Sequence, residues 1–380
     1  MAYYLRHHFD PDFDYTHLKP RQDDTGNIDR YNLGYVQNVI RGQVLAELVP
    51  LEDAGVDEPD PRFVLEEPEL PVGPNCTMDA HHPNLVLADA NGYVFYNDGL
   101  ITVKRMLNVR HDVDFHTGNI FFVGDVAVHG DLRAGFEVQG NNVLIKGIIE
   151  GGVVRSRGSL VVEGGARGGA GRHCKLDAGD TLRIAFSEGA ELRAHGNMLV
   201  ERFCVHSTIY AASNLVVRGR LHGGTVHSNG LVYAEQCVGN DKGTQTRINL
   251  GYDPYSVRKL ERFEQRIREL TERITHYEAV AGHMDPDASD TARRLASARK
   301  KLQRLIAQRK VLWHSLSQDE ANAARCRLVV PGKIYPGVEI AIGRAFHLVE
   351  REASNVCFVL EDEEIVMHSP AITAKKRPRS

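Results

Sequence analysis

A repeat of about 17 residues in the middle of the chain most limits what this sequence can fold into. An apolar residue is followed two positions later by a small one, and the pair returns after 22, 16, 17 and 17 residues. Each pair precedes a polar or glycine-containing turn and a short stretch of alternating apolar and polar residues. Such alternation predicts strands with one buried face, and a coil of this size cannot bury that face alone, so stacked coils of a solenoid are predicted. The pairs are Val154/Ser156, Leu176/Ala178, Leu192/Ala194, Ile209/Ala211 and Val226/Ser228.

The spacing leaves two alternatives for the handedness of this solenoid. Ile209, Leu215 and Leu221 recur at six residues, a spacing typical of left-handed hexapeptide acyltransferases. The next step, from Leu221 to Val226, is five residues, which breaks this spacing. In addition, a large residue such as Arg155 follows the apolar residue of each pair. We therefore favour a right-handed parallel β-helix.

The pattern changes after residue 252. Apolar residues recur at alternating steps of three and four over residues 260–277 and again over 295–316, which is the a/d stripe of a coiled coil. Between them Gly282 and Pro286 interrupt the helix, so an antiparallel helical hairpin is predicted. The alternative is two helices packed on the globular body. The apolar positions proposed for self-association of the hairpin are Leu260, Phe263, Ile267, Leu270, Ile274, Leu295, Leu302, Leu305 and Leu312.

Composition excludes several classes of protein. The chain is 42% hydrophobic and 25% charged, has a net charge of -4 and contains no apolar run long enough to span a membrane. We therefore expect no membrane span and no general nucleic-acid binding. Six cysteines without a C-x-x-C pair, and no signal peptide, favour a cytoplasmic protein with reduced thiols. The basic residues 370–380 are interpreted as a disordered tail.

The N-terminal part differs in composition from the repeat. Residues 31–49 suggest one amphipathic helix, and residues 51–75 are acidic and proline-rich, as in a loop or linker. The sequence Asn97-Asp98-Gly99 predicts a β-hairpin turn.

No catalytic constellation, phosphate-binding loop or cofactor motif stands out, so we expect no catalytic residues and no cofactor. His206 and His222 lie 16 residues apart, close to one coil, and are interpreted as stacked neighbours rather than as metal ligands. Arginines on the solenoid strands form either a surface for an acidic partner or a solvated exterior. They are Arg155, Arg183, Arg193, Arg218 and Arg220.

Two motifs, in this order along the chain, carry a resemblance to a known family. The first is residues 90–132, with the core D-V-D-x-x-T-G-N-I-x-F-x-G-D-V, and the second is "IYPGVEIAIG", residues 334–343, after the helical hairpin. Together with the β-helix, they resemble the flagellar assembly protein A (FapA) family, also known as the domain of unknown function 342 family. The N-terminal part departs from the glycine-rich domain usual in that family.

The resemblance implies a right-handed β-helix like that of bactofilins, and a role in flagellar assembly or motility in bacteria. Implied partners are cytoplasmic regulators, including sugar phosphotransferase components, and the family supplies no catalytic residues. The resulting hypothesis is a non-enzymatic cytoplasmic scaffold or adaptor, recruited to the cell pole or flagellar base, that also forms homo-oligomers. The alternative is a β-helix enzyme acting on polysaccharide or acyl groups.

The expected fold is mainly β. The predicted domains are a small α+β N-terminal domain (1–111), a parallel β-helix (112–252 plus 326–369), an antiparallel helical hairpin (253–320) and the basic tail (370–380).

Overall fold

The computed structural model describes residues 2–22, 26, 28–169, 171, 173–281, 289–317 and 320–370. The chain is mainly β and divides into two compact units, Met1–Ala194 and His195–Ser380. The predicted helix break at Gly282 and Pro286 and all of the predicted basic tail except Pro370 lie outside the described residues.

The first unit begins with short strands in antiparallel sheets. Five strands form one sheet in the order β6-β1-β5-β8-β7, and three form another in the order β10-β9-β4. Leu5, Leu45, Val86, Val94 and Ile101 are buried in one apolar core that both sheets share. The strands are β1 (Tyr3–His7), β2 (Arg21–Gln22), β3 (Ile28–Asp29), β4 (Asn38–Val39), β5 (Val44–Pro50), β6 (Val64–Leu65), β7 (Cys76–Met78), β8 (Leu85–Ala88), β9 (Gly92–Asn97) and β10 (Leu100–Lys104).

The amphipathic helix predicted over residues 31–49 is wrong, and so is the α+β class of this region. Its described residues form strands and two 3-10 helices, Leu51–Asp53 and Pro61–Phe63. The helix was predicted wrongly because strand β5 contains a bulge. A register shift between Val44 and Ala46 interrupts the two-residue alternation of its buried positions. The buried residues of β5 therefore have a spacing that resembles a helix.

Two other N-terminal features have the expected geometry. Asn97 pairs with Leu100 across the predicted turn, where Asp98 and Gly99 both have positive φ, so that hairpin is confirmed. The acidic, proline-rich segment 51–75 is mostly irregular but contributes β6, which pairs with β1.

A parallel ladder fills the rest of the first unit. Strand β14 pairs with β17, β17 with β20, and β20 with β22, so each strand lies beside the strand one coil later. Val154, Leu176 and Leu192 are in register along this ladder, as the repeat predicts. The strands are β11 (Met106–Val109), β12 (Ile120–Phe121), β13 (Asp125–Val128), β14 (Glu137–Gly140), β15 (Val143–Ile145), β16 (Ile148–Glu150), β17 (Val153–Ser156), β18 (Leu160–Val162), β19 (Gly165–Arg167), β20 (Lys175–Ala178), β21 (Leu182–Glu188) and β22 (Glu191–Ala194).

The second unit contains the same type of ladder. Ile209 pairs with Val226, Val226 with Ile248, and Ile248 with Ile340, and these side chains are at most 2% exposed. The last three strands turn back and pair antiparallel. The strands are β23 (Met198–Ala211), β24 (Leu215–Val217), β25 (Arg220–Ser228), β26 (Leu231–Ala234), β27 (Cys237–Val238), β28 (Thr246–Leu250), β29 (Arg327–Ile334), β30 (Val338–Ile342), β31 (Ala345–Leu348), β32 (Ala353–Glu361) and β33 (Glu364–His368).

The helices lie between β28 and β29 in the sequence. They are α1 (Pro254–Ala281), α2 (Ser289–Ser317) and the short α3 (Glu320–Ala323). Because β29 pairs in parallel with β26, and β30 with β28, the ladder resumes after the helices as if they were an insertion. None of the described helices is long and apolar enough to cross a membrane.

Gly251 lies where the chain leaves the ladder for the helices. Its φ is +94°, and a Cβ added there would lie 2.9 Å from the Cα of Ala323, at the other end of the insertion. Both the backbone conformation and the close approach therefore require glycine.

We predict that Gly251→Ala lowers the free energy of unfolding by about 2 kcal/mol or more, since the left-handed conformation and the backbone contact are both penalised. Chemical denaturation measures this change. Gly243→Ala is the matched control, because Gly243 also has positive φ but has no atom within 4 Å of its added Cβ. Equal losses in the two variants would contradict the role of the contact with Ala323.

Candidate functional site

The base of α1 is fixed by interactions that its sequence specifies locally. The carboxylate of Asp253 accepts a hydrogen bond from the Ser256 amide at 2.9 Å, and Pro254 occupies the first helical position. Both are preferred residues for a helix start. One residue further, the ring of Tyr255 stacks on His195 with centroids 3.8 Å apart. The helix therefore begins at a defined point and direction on the second unit.

Glu261, two turns into α1, connects the helix to the solenoid strands. Its Oε2 accepts a hydrogen bond from the Tyr210 hydroxyl at 3.0 Å, and its Oε1 lies 3.7 Å from His227 Nε2. Tyr210 on β23 and His227 on β25 face each other across the ladder with nearly parallel rings, 5.1 Å between centroids. The Arg258 guanidinium lies 5.9 Å from the centre of the Tyr210 ring. We call Tyr210, His227 and Glu261 the hairpin anchor.

The His227 side chain of the anchor is neutral near pH 7. It is only 7% exposed, and burial lowers its pKa to about 4. The 3.7 Å between His227 Nε2 and Glu261 Oε1 would be an ion pair only if the imidazole ring were protonated. Because its pKa is lowered, the ring is uncharged at neutral pH and no ion pair forms. The Tyr210 hydrogen bond therefore links α1 to the strands without any charge on His227.

The residues of the apolar stripe predicted for the hairpin are all buried or half-buried. Leu260, Leu270, Ile274 and Leu305 are each at most 8% exposed. The other positions proposed for self-association, Phe263, Ile267, Leu295, Leu302 and Leu312, are half-buried. Self-association through these residues stays a prediction.

Large apolar side chains nevertheless remain exposed on α2. Ile306 is 41% exposed and Trp313, the single tryptophan of the chain, is 62% exposed. They are seven residues apart, about two helical turns, and so lie on the same side of α2. Val311, 72% exposed, lies on another side of the helix. We call Ile306 and Trp313 the hairpin apolar pair.

The arginines predicted as a partner surface have different surroundings. Arg193 lies 2.7 Å from Asp177 and 2.9 Å from Glu191 and is mostly buried, while Arg155 forms an ion pair with Glu137. Arg183 lies on the β18–β21 ladder rather than beside Arg155 and Arg193. The other two, on the second unit, are Arg218 and Arg220, both exposed. At least two of the five charges, those of Arg155 and Arg193, are therefore largely neutralised, and the use of the five arginines by a partner stays a prediction.

His206 and His222, the histidines that the repeat placed on neighbouring coils, are close together. Their ring centroids are 6.1 Å apart in an edge-to-face arrangement, and burial lowers the pKa of His222. Across the described part of the chain, no three His, Cys, Asp or Glu side chains converge as metal ligands. The two rings therefore belong to paired strands of neighbouring coils and meet edge to face.

Sequence reasoning missed the residues of the anchor and the apolar pair. Tyr210 and His227 each follow the apolar residue of a repeat, Ile209 and Val226. That shared position indicates that the two rings lie side by side on neighbouring coils. Trp313 lies outside the a/d stripe, which marks an apolar side chain without a core position. Nothing in the sequence shows that Glu261 would reach Tyr210.

The fold and the site define a β-solenoid protein with a helical insertion held against the solenoid strands. Residues 105–365 match the family model described as the flagellar assembly protein A (FapA) beta solenoid domain. The match covers more than half of the chain, which therefore belongs to this family. Neither the curated proteins nor the solved structures gave a match to the chain.

We predict that Tyr210→Phe lowers the free energy of unfolding by about 1 kcal/mol, because it removes the hydroxyl that donates to Glu261 and keeps the ring. A double-mutant cycle with Glu261→Ala, followed by urea denaturation, should give a coupling of similar size. Glu272→Ala, an exposed position on the same helix, is the control and should show no coupling. Additive effects of Tyr210→Phe and Glu261→Ala would contradict the anchor.

The depressed pKa of His227 predicts a stability loss in acid. Between pH 6.5 and about 4 the unfolded chain binds a proton at this histidine while the folded chain does not, so stability falls as the pH is lowered through this window. The contribution is up to about 3 kcal/mol, and His227→Gln should remove it. Unfolding curves of both proteins at pH 7 and pH 4 measure the difference. The same pH dependence in both would show that His227 is not responsible.

Proposed function

We propose that this protein is a scaffold or adaptor in flagellar assembly or motility regulation that binds partner proteins through its helical hairpin. The observation that carries the proposal is the exposed hairpin apolar pair, Ile306 and Trp313, on a helical arm whose base is fixed by the anchor. Membership of the FapA family supports the link to flagellar assembly.

The physical support comes from the cost of leaving such side chains in water. A tryptophan and an isoleucine on the same side of a helix gain free energy when a partner covers them, and tryptophan is among the residues that dominate protein interfaces. The side of α2 that carries them is not needed for the hairpin core, which the a/d stripe fills. Partner binding can therefore occur without opening the hairpin.

The proposal includes several finer points. We propose that the hairpin packs as a coiled coil, that the protein acts in the cytoplasm without catalysis, and that it forms homo-oligomers. A right-handed winding of the solenoid is also proposed, on the strength of the family resemblance and the failed six-residue spacing. A crystal structure would test the winding, and assays with polysaccharides and acyl donors would test for turnover.

Removing the two side chains of the hairpin apolar pair should abolish partner binding without destabilising the fold. We predict that Ile306→Ala combined with Trp313→Ala leaves the melting temperature within a few degrees of the original, because both side chains are solvent-exposed. In a strain lacking the native gene, this variant should fail to restore swimming, whereas the unchanged protein restores it.

The matched control is Gln303→Ala combined with Gln308→Ala, two exposed polar positions on the same helix. It should restore swimming fully. Normal flagellation and swimming with the Ile306/Trp313 variant would contradict the role of the hairpin. Normal swimming of the deletion strain itself would contradict the role in motility.

A further inference from the structure

A large groove in the first unit lies against the first strand of the parallel ladder. It has a volume of about 1680 Å³ and is lined by residues of β9, by residues 104–108 and 110–112, which include most of β11, and by the segment near Asp10–Thr16. We call it the β11 groove. It involves no residue of the hairpin, so it is independent of the function proposed above.

Strand β11 has one open edge on this groove. Its other edge pairs with β13, whose Asp125 and His129 amides donate to the carbonyls of Arg105 and Val109 at 3.1 and 2.8 Å. Successive residues of a strand direct their main-chain groups to opposite edges, so those of Met106 and Asn108 point away from β13. Among the described strands, β13 is the one that shares a residue register with β11. An exposed edge of this kind is a template for another strand.

The cations at the groove have no carboxylate partners. Lys104, Arg105 and Arg110 are exposed, and within the described ranges none lies in an ion pair. The nearby Asp112 is already bound by Arg133 at 2.7 Å. The groove lining also contains the carboxylates of Asp10 and Asp114. The three cations flank the ends of β11 itself, and this favours negative charges on a strand that adds along that edge.

Aromatic rings also line the groove. Tyr93 and Phe95 project from the same face of β9, with ring centroids 5.7 Å apart, and Lys104 Nζ lies 4.8 Å from the centre of the Phe95 ring. Tyr15 and Tyr35 form a second pair at 5.7 Å. Burial raises the pKa values of Tyr35 and Tyr93, as expected for rings in a partly desolvated groove. Met106 on β11, 51% exposed, adds a flexible apolar side chain.

We propose that the β11 groove binds an extended acidic peptide segment of a partner protein, which adds as a strand to the open edge of β11. The peptide main chain bonds to Met106 and Asn108. Its carboxylates pair with Lys104, Arg105 and Arg110, and alternate apolar side chains pack on Tyr93 and Phe95. Strand addition of this kind obtains affinity from main-chain hydrogen bonds and selectivity from alternate side chains.

The test uses the full-length chain and a fluorescent probe, acetyl-Glu-Val-Glu-Phe-Glu-Val-Glu-amide. Two controls are the same peptide with Lys for every Glu, and the acidic peptide with alternate amides N-methylated to block strand pairing. Fluorescence anisotropy should show saturable binding of the acidic probe, at least about tenfold tighter than either control. No saturation by about 1 mM, or equal binding of the N-methylated probe, overturns the proposal.

Variants of the protein test the two halves of the site separately. Arg105→Glu combined with Arg110→Glu should weaken binding at least about tenfold, and more at low salt than at high salt. Asn108→Pro should weaken it about tenfold while preserving the ladder, since the lost amide faces the open edge. Arg218→Glu, an exposed charge in the second unit, is the matched control. Equal affinity in all variants overturns the proposal, whatever the probe result.

Two other occupants would be recognised in the same experiments. If the chain dimerises in light scattering, Asn108→Pro abolishes the dimer and the probe does not bind, a second copy fills the groove and the peptide proposal is overturned. Saturable binding of ATP in place of the probe, lost with the arginine reversals, would overturn it in favour of a nucleotide.

Discussion

The parallel main-chain ladder is the constraint on which the rest of the structure depends. Each coil has only enough residues for short strands, so its apolar side chains are buried only when the neighbouring coils are in place. The in-register columns Val154–Leu176–Leu192 and Ile209–Val226–Ile248 result from this requirement. Side chains at the turns reinforce the register, since Asn197 Oδ1 accepts from the Asn214 amide and Asn214 Oδ1 from that of Leu231. A one-residue slip would break these bonds and expose the columns together.

The ladder also determines where binding surfaces can form. On its regular faces, stacking buries the apolar columns, and ion pairs such as that of Arg193 with Asp177 neutralise part of the charge. Irregular features supply what remains available to a partner. One is the insertion that carries Ile306 and Trp313, and another is the open edge of β11, where no preceding coil exists to pair with it. Both arise because a repeating structure must be interrupted or ended somewhere.

Repetition also explains how much the sequence could predict. The apolar–small pair recurs five times, so an exception in one repeat does not hide the pattern. The pairs, the strands that follow them and the a/d stripe could therefore be predicted from the sequence. The N-terminal region occurs once, and a single bulge in β5 was enough to suggest a helix. The hairpin anchor and the β11 groove join residues far apart in sequence, such as Tyr210 with Glu261 and Tyr15 with Tyr35. A repeating sequence pattern does not predict contacts of this kind, and they are found only in the folded structure.

The close approach of Gly251 and Ala323 has a further consequence for this architecture. Because the chain leaves and rejoins the ladder at nearly the same point, the number of residues in the intervening arm does not affect the register of β28 with β30. Whole helical turns can be added to or removed from the far end of α1 and α2 without altering the coils. The length of the helical arm can therefore change during evolution while the coils of the solenoid stay the same.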